Sequence, residues 1–568
     1  MFEVLTIHGY RRLSATVDEP EHLTAGYAML TRGDYRLDPY HPPLTRMWAA
    51  LPLLAVHGVK LDTDSPYWLQ CDEWNFCHQF LYQDNDADRL LNRARFMTTL
   101  FGVLLGIFVF CWVRELFGFL PAAIVLGLFC AEPNLVAHSG LVTTDLGATC
   151  FIFGTVYFAW RGARNFTFVN AFGLAACFTL AVLCKYSALL LVPILLALFL
   201  ARAGGRTPWP GQFPGGAPLS SPARKVLLAL TVVGSLAIPV YAGVWATYSF
   251  RYAPTPAGIG QGRFGPEAEA VRRLPRLTQI VGWIDEHHLL PNACVQGFLA
   301  SAAEAQLRPA YLLGKVSDRG WWYYFPVAFL IKTPVALLVM SFVGLALWIT
   351  EGRDRWLDGL FVVGPPAVYF AAAMAGHLNI GVRHILIVYP FALLLAGRTV
   401  AALAPSPMQG ARDRWRGIAL AGLCLAQVAE FAVVYPDCLA FFNVGVGGPS
   451  HGAEYLVDSN LDWGQGLKLL KQWMTENHVA RINLSHFGYA DPAYYHIDYQ
   501  PLPGSPAFDR DRIGRPQLPG YVAVSATNLH RVYPGDSVDD FYAGLRNRRP
   551  VAVVGHCIYV YWVDQPWW

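Results

Sequence analysis

The sequence has little charge for its length. Of its 568 residues, only 15% are Asp, Glu, Lys or Arg, whereas 54% are hydrophobic and the mean hydropathy is +0.33. A soluble protein normally carries about 25% charged residues. The shortage of charge excludes an ordinary soluble protein and predicts an integral membrane protein.

Two other features are missing from the sequence. Lys and Arg are dispersed, and the net charge is only +3, so there is no basic stripe that would bind nucleic acid, and nucleic acid is excluded as a partner. Residues 1–16 contain Glu3, His8, Arg11 and Arg12 and lack the apolar run of a secretory signal peptide. Membrane insertion is therefore expected to depend on later segments.

A membrane-spanning helix needs roughly 20 apolar residues, and ten segments approach this length. They are 96–113, 119–138, 144–160, 167–184, 186–201, 225–248, 325–349, 358–376, 384–402 and 417–435. The apolar stretch 44–58 is shorter and carries Arg46, so we interpret it as an interfacial helix. With residues 1–95 outside, every connection placed in the cytoplasm contains Lys or Arg, as the positive-inside rule requires. We expect a multi-pass protein of the plasma (inner) membrane.

The connections on the opposite side hold most of the unusual polar residues, and the two large ones are 1–95 and 249–324. Towards the end of the chain the sequence changes character. GLKLLKQWM has helical spacing, whereas RINLSHF, YVAVSAT and VAVVGHCIYVYWV have the pattern of strands. We predict a transmembrane domain over 1–435 and a small extracytoplasmic α/β domain over 436–568.

Three short motifs resemble cofactor sites at first sight. CDEWNFCH (71–78) has no standard zinc spacing, and a disulfide between Cys71 and Cys77 is favoured over two free thiols. GQGRFG (260–265) has the letters of a phosphate-binding loop but follows a Pro-rich segment rather than a strand. DSNLDWG begins like a calcium loop but has Trp463 where Gly is required. No cofactor is predicted, and a divalent cation is left open.

Acidic and histidine side chains that could take part in a reaction are concentrated near the start of the sequence, in VDEPEHLTAGYAMLTRGDYRLDPYHPPL (17–44). One interpretation is structural: Asp18 caps a helix, Glu21 occupies the capping-box position and Gly33 ends the helix. This interpretation leaves several polar side chains without a role. They are Glu19, His22, Asp34 and His41.

Further charged residues are predicted at the outer ends of the spans. Asp145 begins the third span, Lys185 ends the fourth, and Arg383 and His384 lie at the start of the ninth. Lys332 lies inside the seventh span, where an ionisable group suggests a function and a snorkelling lysine is the alternative. Carboxylates can accept a proton from a hydroxyl, and Arg or Lys can stabilise a departing lipid phosphate. The transfer of a sugar from a lipid phosphate to a hydroxyl requires such a set of residues.

Several segments of the sequence are similar to a known superfamily. DEPEHLTAGYAMLTRGDYRLDPYHPPL, VTTDLGA, CKYSALLLVP and GVRHILIVYP resemble integral-membrane glycosyltransferases of the GT-C type, in the protein O-mannosyltransferase and lipid A aminoarabinose-transferase superfamily (glycosyltransferase family 39-like). GWWYYFPVAFLIKTP and VDSNLDWGQGLKLLKQW look like a bacterial branch of unassigned substrate. The resemblance spans roughly residues 15–480. It implies a GT-C fold, a polyprenyl-phosphate sugar donor in the lipid membrane, and a protein, lipid or polysaccharide acceptor.

The resemblance also implies roles for individual residues. Asp18, in the DE pair with Glu19, would be the catalytic acid or base, and Asp145 would be the second acid. Arg383 would face the carrier phosphate. The residues predicted to bind substrate are His22, His41, Lys185, Lys332, Arg383, His384, Asp458, Asn460 and Asp462. A single base without a second carboxylate as nucleophile implies inversion at the anomeric carbon. The family usually has a span before the first loop that this sequence lacks, so the number of spans is open.

Two other functions stay as alternatives. A transporter or flippase of lipid-linked sugars would have polar residues at mid-depth in broken helices related by a repeat, whereas here they concentrate at the outer ends and no repeat is visible. A non-catalytic membrane scaffold would tolerate replacement of Asp18 and Asp145. The sequence favours the glycosyltransferase.

Overall fold

The computed structural model describes residues 1–212, 217–256, 264–351, 355–404, 411–533 and 540–568. Most of the GQGRFG motif lies outside these ranges, and so does Arg353, in the connection between the predicted spans 325–349 and 358–376. The described part of the chain is mainly helical, with a five-stranded and a two-stranded sheet.

The polar start of the chain folds into short helices. They are α1 (Phe2–Arg11), α2 (Glu19–Arg32), α3 (Leu44–Ala50), α4 (Pro66–Gln70) and α5 (Glu73–His78). α2 is the helix predicted from the first motif, and it ends at Gly33, whose φ of 61° is in the left-handed region that glycine adopts without steric cost. α3 continues into the 3-10 turn Leu51–Ala55, so the stretch interpreted as interfacial is a short helix.

The apolar bundle and the second large loop follow in the chain. Their helices are α6 (Ala87–Phe117), α7 (Phe119–Cys130), α8 (Pro133–Ser139), α9 (Asp145–Arg164), α10 (Phe168–Cys184), α11 (Leu191–Gly204), α12 (Pro222–Ser235), α13 (Ala237–Thr247), α14 (Ala268–Arg273), α15 (Pro275–Glu286), α16 (Asn292–Glu304), α17 (Tyr324–Lys332), α18 (Val335–Glu351), α19 (Trp356–Ala375), α20 (Val388–Leu403) and α21 (Ala411–Val434). The loop also holds a hairpin of β1 (Ala310–Leu312) and β2 (Lys315–Ser317). Each of the ten predicted spans coincides with one or two of these helices.

Fewer helices than predicted meet the length and composition of a membrane span. Among the described residues there are five: Ala87–Phe117, Tyr186–Gly204, Pro222–Thr247, Trp356–Ala375 and Arg414–Val434. Two bent pairs raise the number to seven, namely Phe119–Cys130 with Pro133–Ser139 (64°) and Tyr324–Lys332 with Val335–Thr350 (115°). The prediction of ten spans is therefore not confirmed. Two of the remaining helices, α10 and α20, have only 17 and 16 residues.

Proline explains where both pairs bend. Pro133 begins α8 directly after Glu132, and Pro334 follows α17 and precedes α18. Proline lacks a backbone N–H and disfavours the helical conformation in the residue before it. At the first bend the Glu132 carboxylate replaces the lost helix contact by accepting from the N–H of Leu135 at 2.6 Å.

The C-terminal region forms the predicted α/β unit. Its helices are α22 (Gly452–Tyr455), α23 (Leu467–Glu476), α24 (Ala526–Leu529) and α25 (Ala543–Arg546), and its strands are β3 (Arg481–Ser485), β4 (Asp498–Pro501), β5 (Gly520–Ser525), β6 (Ala552–Val554) and β7 (Ile558–Val563). The sheet order is β4-β3-β5-β7-β6. β3 pairs in parallel with β4 and β5, whereas β7 is antiparallel to β5 and β6. The three segments predicted as strands are therefore confirmed.

This unit shares a hydrophobic core with the first loop. Leu23 of α2 and Leu91 of α6 belong to the same buried cluster as Leu470 of α23 and Val560 of β7. The backbone N–H of Val17 also donates to the carbonyl of Trp463 at 2.9 Å. The first loop therefore packs against the C-terminal unit. A domain boundary at 435/436 stays a prediction.

The disulfide favoured between Cys71 and Cys77 is not formed. All eleven cysteines of the chain are free thiols. Cys71 has a left-handed backbone (φ 56°) at the end of α4, and Cys77 is buried in α5. The loop is closed by packing instead, because Trp68 of α4 contacts Phe76 of α5 with ring centroids 5.0 Å apart.

Candidate active site

Asp18 does not cap α2. Its side chain makes no hydrogen bond to the first turn of the helix. The carboxylate instead accepts from Nη1 of Arg383 at 2.7 Å. Arg383 lies in the 3-10 turn Val382–Ile385 that precedes α20. The structural interpretation of Asp18 is therefore wrong, and the site brings together two residues that the sequence predicted to act together.

Four charged side chains form a row of alternating sign. Arg383 lies between Asp18 and Asp145, whose Oδ2 is 3.5 Å from its Nη1. Lys185 donates to the other carboxylate oxygen of Asp145 at 2.5 Å. The side chain of Asp145 is 1% exposed, those of Arg383 and Lys185 are 11% and 19% exposed, and that of Asp18 is 21% exposed. The row has no net charge and is partly open at both ends.

The ion pair determines the ionisation of Asp18. Burial raises the pKa of Asp18, but the Arg383 guanidinium and then the nearby His22 outweigh burial, so the pKa is lowered. Asp18 is therefore ionised at neutral pH.

A cavity of about 360 Å³ opens beside this row. Asp145, Lys185, Arg383 and His384 line its polar end. The rest of its wall is mostly apolar and includes Ala148, Ile152, Leu190, Phe325, Ala373 and Ile387. The cavity therefore suits a molecule with an anionic group at one end and hydrocarbon at the other.

Two enclosed nitrogens of residues that line the cavity have no hydrogen-bond partner among the described residues. They are Nε of Arg383 and Nε2 of His384. An unsatisfied buried polar atom costs about 1–3 kcal/mol, and more when the group is charged.

The DSNLDWG segment holds Arg383 in position. The Trp463 ring lies under the guanidinium, with its centroid 4.2 Å from Cζ. Asn460 Oδ1 accepts from the N–H of Val382 at 2.9 Å, and Ser459 Oγ donates to the carbonyl of Ile380 at 2.8 Å. The sequence analysis predicted substrate binding by Asp458, Asn460 and Asp462 of this motif, but it gave no signal for the roles of Trp463 and Ser459.

Three residues of this motif were predicted to bind substrate, and the structure gives them supporting contacts. Asp458 accepts from the Tyr533 hydroxyl and from the N–H of Ser459. Asp462 accepts from the N–H of Thr527 at 2.8 Å. None of Asp458, Asn460 and Asp462 lines the 360 Å³ cavity. Asn460 joins the C-terminal region to the turn before α20 and to Tyr324, whereas the contacts of Asp458 and Asp462 lie within the C-terminal region.

Glu19 does not enter the site. Its carboxylate is fully buried and accepts from Nε and Nη2 of Arg95 at 2.8 and 2.6 Å. It also accepts from the N–H groups of Thr16 and Val142, both at 2.9 Å. A carboxylate held by four donors cannot turn to a substrate, so the geometry gives Glu19 a structural role in place of the predicted catalytic one.

Lys332 also lies away from the cavity and does not snorkel. Its side chain is 1% exposed. Nζ donates to the carbonyls of Leu439 and Asn460 at 2.9 and 2.5 Å and lies 4.7 Å from the Phe442 ring centroid. Lys332 ties the bend after α17 to the C-terminal region, and the structure does not place it with Arg383 as a phosphate ligand.

His22 and His41 form a separate cluster after Asp18. Nδ1 of His22 is 2.7 Å from Oδ2 of Asp38, and Nη1 of Arg46 is 2.9 Å from the same oxygen. The rings of His22 and His41 meet edge-on with centroids 5.4 Å apart. Burial lowers the pKa of His41 to about 3 even though Asp38 opposes this effect, so His41 is neutral at neutral pH. Neither histidine lines the 360 Å³ cavity.

Metal ligation requires several donors at short range. Within the described ranges, no group of three or more His, Cys, Asp or Glu side chains has the geometry to hold a metal ion. No residue is therefore assigned to a metal.

The fold and the site define a helical membrane protein with a buried, charge-paired site next to an amphiphilic cavity. Residues 89–212 match the family described as dolichyl-phosphate-mannose-protein mannosyltransferase. This segment, less than half of the chain, runs from α6 to the connection after α11 and contains Asp145 and Lys185. The match confirms the resemblance to this superfamily. No curated protein matches the chain.

Several solved structures have a similar overall arrangement. ArnT from Cupriavidus metallidurans bound to undecaprenyl phosphate is 12% identical, with 98% of this chain and 95% of that chain covered and a TM-score of 0.42. The S. cerevisiae protein O-mannosyltransferase Pmt1-Pmt2 complex bound to the sugar donor is 11% identical, with coverages of 90% and 93% and a TM-score of 0.46. The Archaeoglobus fulgidus oligosaccharyltransferase tethered with an acceptor peptide is 11% identical, with coverages of 92% and 66% and a TM-score of 0.46. Such values establish neither a shared substrate nor shared residue roles.

Proposed function

We propose that this protein transfers a glycosyl group from a polyprenyl-phosphate-linked sugar to an acceptor hydroxyl. The observation that carries the proposal is an otherwise apolar cavity whose polar end is lined by Lys185, Arg383 and His384. A lipid phosphate supplies both the oxygen atoms and the hydrocarbon that such a cavity lacks. The family match over 89–212 supports a sugar on that phosphate.

The charges of the site suit the charge that develops in this reaction. The row of two carboxylates and two cations is neutral before the donor binds. A sugar-linked phosphodiester brings one negative charge, and the polyprenyl phosphate that leaves carries a second one. Arg383 and Lys185 are placed to stabilise this growing charge as the bond from the sugar to the phosphate breaks.

Asp18 serves this reaction best as a fixed negative charge. Because Arg383 keeps it ionised, it can stabilise the positive charge that develops on the anomeric carbon in an oxocarbenium-like transition state. Asp145 and Glu19 are both engaged by cations, so neither is free to act as a covalent nucleophile. Direct displacement, and with it inversion, is part of the proposal.

The proposal places the site on the outer face of the plasma (inner) membrane, in a GT-C bundle of about ten spans over 1–435. α9 supports this orientation, because Asp145 begins it and Arg161 and Arg164 lie in its last turn. A helix of 20 residues rises about 30 Å, the thickness of the hydrocarbon core. The basic end of α9 is therefore one membrane thickness from the site, and residues 436–568 would be extracytoplasmic with it. The acceptor would be a protein, lipid or polysaccharide.

A direct transfer assay tests the function. Purified full-length protein is incubated with radiolabelled undecaprenyl-phosphate mannose and a delipidated envelope extract, and a mass spectrum of the products identifies the acceptor. Transfer that disappears in Arg383→Ala and persists in the control variant Lys471→Ala, at a partly buried lysine of α23 that does not line the cavity, supports the proposal. Movement of the intact donor across vesicle membranes without transfer would instead support the flippase. Wild-type protein with neither activity would support the scaffold.

A further inference from the structure

The proposed transfer releases a proton, and the carboxylates of the candidate active site are poorly placed to take it. Asp18 is bonded to Arg383 at 2.7 Å and Asp145 to Lys185 at 2.5 Å. A carboxylate next to a cation stays ionised and is a weak base. The proton of the acceptor hydroxyl therefore needs a different group.

His22 is the basic side chain next to Asp18 on α2. The backbone N–H of His22 donates to the carbonyl of Asp18 at 3.0 Å. Residues one helical turn apart present their side chains on the same face. His22 is also close enough to contribute to the electrostatics of Asp18, after burial and Arg383. An acceptor hydroxyl beside Asp18 would therefore be next to His22.

The tautomer of His22 is fixed by its partners. Nδ1 lies 2.7 Å from Asp38 Oδ2, and since an ionised carboxylate only accepts hydrogen bonds, Nδ1 carries the hydrogen. Arg46 holds Asp38 from the other side at 2.9 Å, and the three side chains are at most 4% exposed. The lone pair of the neutral imidazole is consequently on Nε2.

Nε2 of His22 is free to take a proton. It makes no hydrogen bond to any residue that the structure describes. It also differs from the enclosed ring nitrogens nearby, which are Nδ1 of His138 and Nε2 of His384. His22 therefore has one nitrogen fixed by a carboxylate and the other without a hydrogen-bond partner among the described residues, as a general base requires.

We propose that Nε2 of His22 is the proton acceptor of the transfer, an inference that rests on the proposed function. The acceptor oxygen forms a bond to the anomeric carbon, and the bond from that carbon to the phosphate oxygen breaks. The hydroxyl proton moves to Nε2, and the polyprenyl phosphate leaves with the electron pair of the broken bond. Asp38 stabilises the imidazolium, which then returns its proton to water.

Other titratable groups surround His22 and Asp38. They are Asp18 and Glu21 from α2, Asp38 and His41 from the loop after it, Arg46 from α3 and Glu73 from α5. The pKa of His41, lowered by burial to about 3, makes its ring a weak base at neutral pH. His41 is therefore a matched control. It is a second histidine in the same cluster, and its ring has no hydrogen bond to Asp38 like that of His22.

The test compares turnover against pH for the full-length wild type, His22→Asn, His41→Asn and Asp18→Asn in the transfer assay. The Asn amide at position 22 keeps a hydrogen bond to Asp38 but cannot take a proton. We expect His22→Asn to lower turnover roughly 10²–10⁴-fold, to abolish the fall in turnover towards low pH, and to leave the KM for the lipid donor unchanged. His41→Asn and Asp18→Asn should keep this fall. A His22→Asn enzyme that keeps it, or an Asp18→Asn enzyme that loses it, would overturn the inference.

A second variant decides the question if His22→Asn does not fold. Asp38→Asn removes the negative charge that stabilises the imidazolium formed in the transfer, so the fall in turnover should move to lower pH. An unchanged pH profile in folded Asp38→Asn would overturn the inference. It would show that Asp38 has a structural role only and does not set the pH at which turnover falls. Wild-type protein that transfers from no lipid-linked donor would refute the proposed function itself, and this is seen without any variant.

Discussion

At the scale of single residues, ligand binding at the site depends on the ion pairs that its charged side chains form with one another. Asp18, Arg383, Asp145 and Lys185 satisfy one another in the absence of substrate. Any ligand must therefore compete with a carboxylate for each cation it binds. The affinity for the donor then depends on the strength of the resident ion pairs as well as on the ligand.

Arg383→Ala should weaken binding of undecaprenyl phosphate, measured by quenching of tryptophan fluorescence in detergent. One charge-assisted hydrogen bond contributes about 1.5–3 kcal/mol, so we expect a loss of affinity of roughly 10–150-fold. Lys332→Met is the control, because Lys332 does not line the cavity and its Nζ contacts the carbonyls of Leu439 and Asn460 and the Phe442 ring. A large loss of affinity in folded Lys332→Met would contradict the separation of these two cations.

Asp18→Asn should have opposite effects on donor binding and turnover. Arg383 loses its carboxylate partner and becomes more available to phosphate, so donor affinity should rise by roughly tenfold. Turnover should fall by about 10²-fold, because the fixed negative charge beside the sugar is gone. Binding and single-turnover measurements separate the two effects. A silent substitution would restore helix capping as the role of Asp18, since Asn caps as well as Asp.

The same ion pair should make stability depend on pH. Because the pKa of Asp18 is lowered in the folded protein, its stabilisation is present above the unfolded pKa of about 3.9 and is lost as the pH falls through the folded pKa. The difference in Tm between wild type and Asp18→Asn should therefore be largest near neutral pH and shrink below pH ~4. A difference that grows on acidification would have the wrong sign for this ion pair.

At the scale of elements, the turn that carries Arg383 is too short to fix its own side chain. It has four residues, Val382–Ile385, and its position depends on Ser459, Asn460 and Trp463 from the C-terminal region. α2 depends in the same way on Glu19, which joins it to α6 and to the connection before α9. Residues that do not touch the cavity therefore define its geometry.

Trp463→Leu should reduce donor affinity without removing any group from the cavity. The lost contact between guanidinium and ring is worth about 0.5–2 kcal/mol, equivalent to roughly 2–30-fold in affinity. Trp473→Leu, in α23 and away from Arg383, serves as the control for replacing a tryptophan in this region. Equal effects of the two substitutions would show a general loss of stability instead.

Glu19→Gln should lower stability rather than catalysis. It leaves Arg95 buried without a charged partner, at a cost of about 3–5 kcal/mol. Thermal unfolding in detergent should show a lower Tm, while the folded fraction should keep normal turnover per molecule. Normal stability with lost turnover would instead return Glu19 to the catalytic role implied by the family resemblance.

At the scale of the whole molecule, the sequence predicted what depends on local pattern. The apolar helices, the helix after Asp18 and the strands of the C-terminal unit all follow from periodicity. The meeting of Asp18 with Arg383 was expected only in outline, from their common position at the outer end of the spans. The contacts of Glu19, Lys332 and the DSNLDWG motif could not be predicted, because each joins segments far apart in the chain and has no spacing signal.

The orientation of the whole molecule can be tested with a reporter. Alkaline phosphatase fused after Trp568 should be active, because the C-terminal unit packs against the first loop and both are proposed to be extracytoplasmic. A green fluorescent protein fused at the same position should be dark when exported unfolded. The reverse pattern would place the active site in the cytoplasm.

The resting ion pairs have a consequence for selectivity against small anions. Asp18 and Asp145 act as built-in competitors, tethered at high effective concentration to the cations that a phosphate needs. Free inorganic phosphate or sulfate gains little by displacing them, since it leaves the apolar part of the cavity unfilled. A lipid phosphate adds the burial of its hydrocarbon, about 25 cal/mol per Å² of apolar surface. The enzyme is thus expected to ignore the millimolar salts around it and to respond only to anions anchored in the membrane.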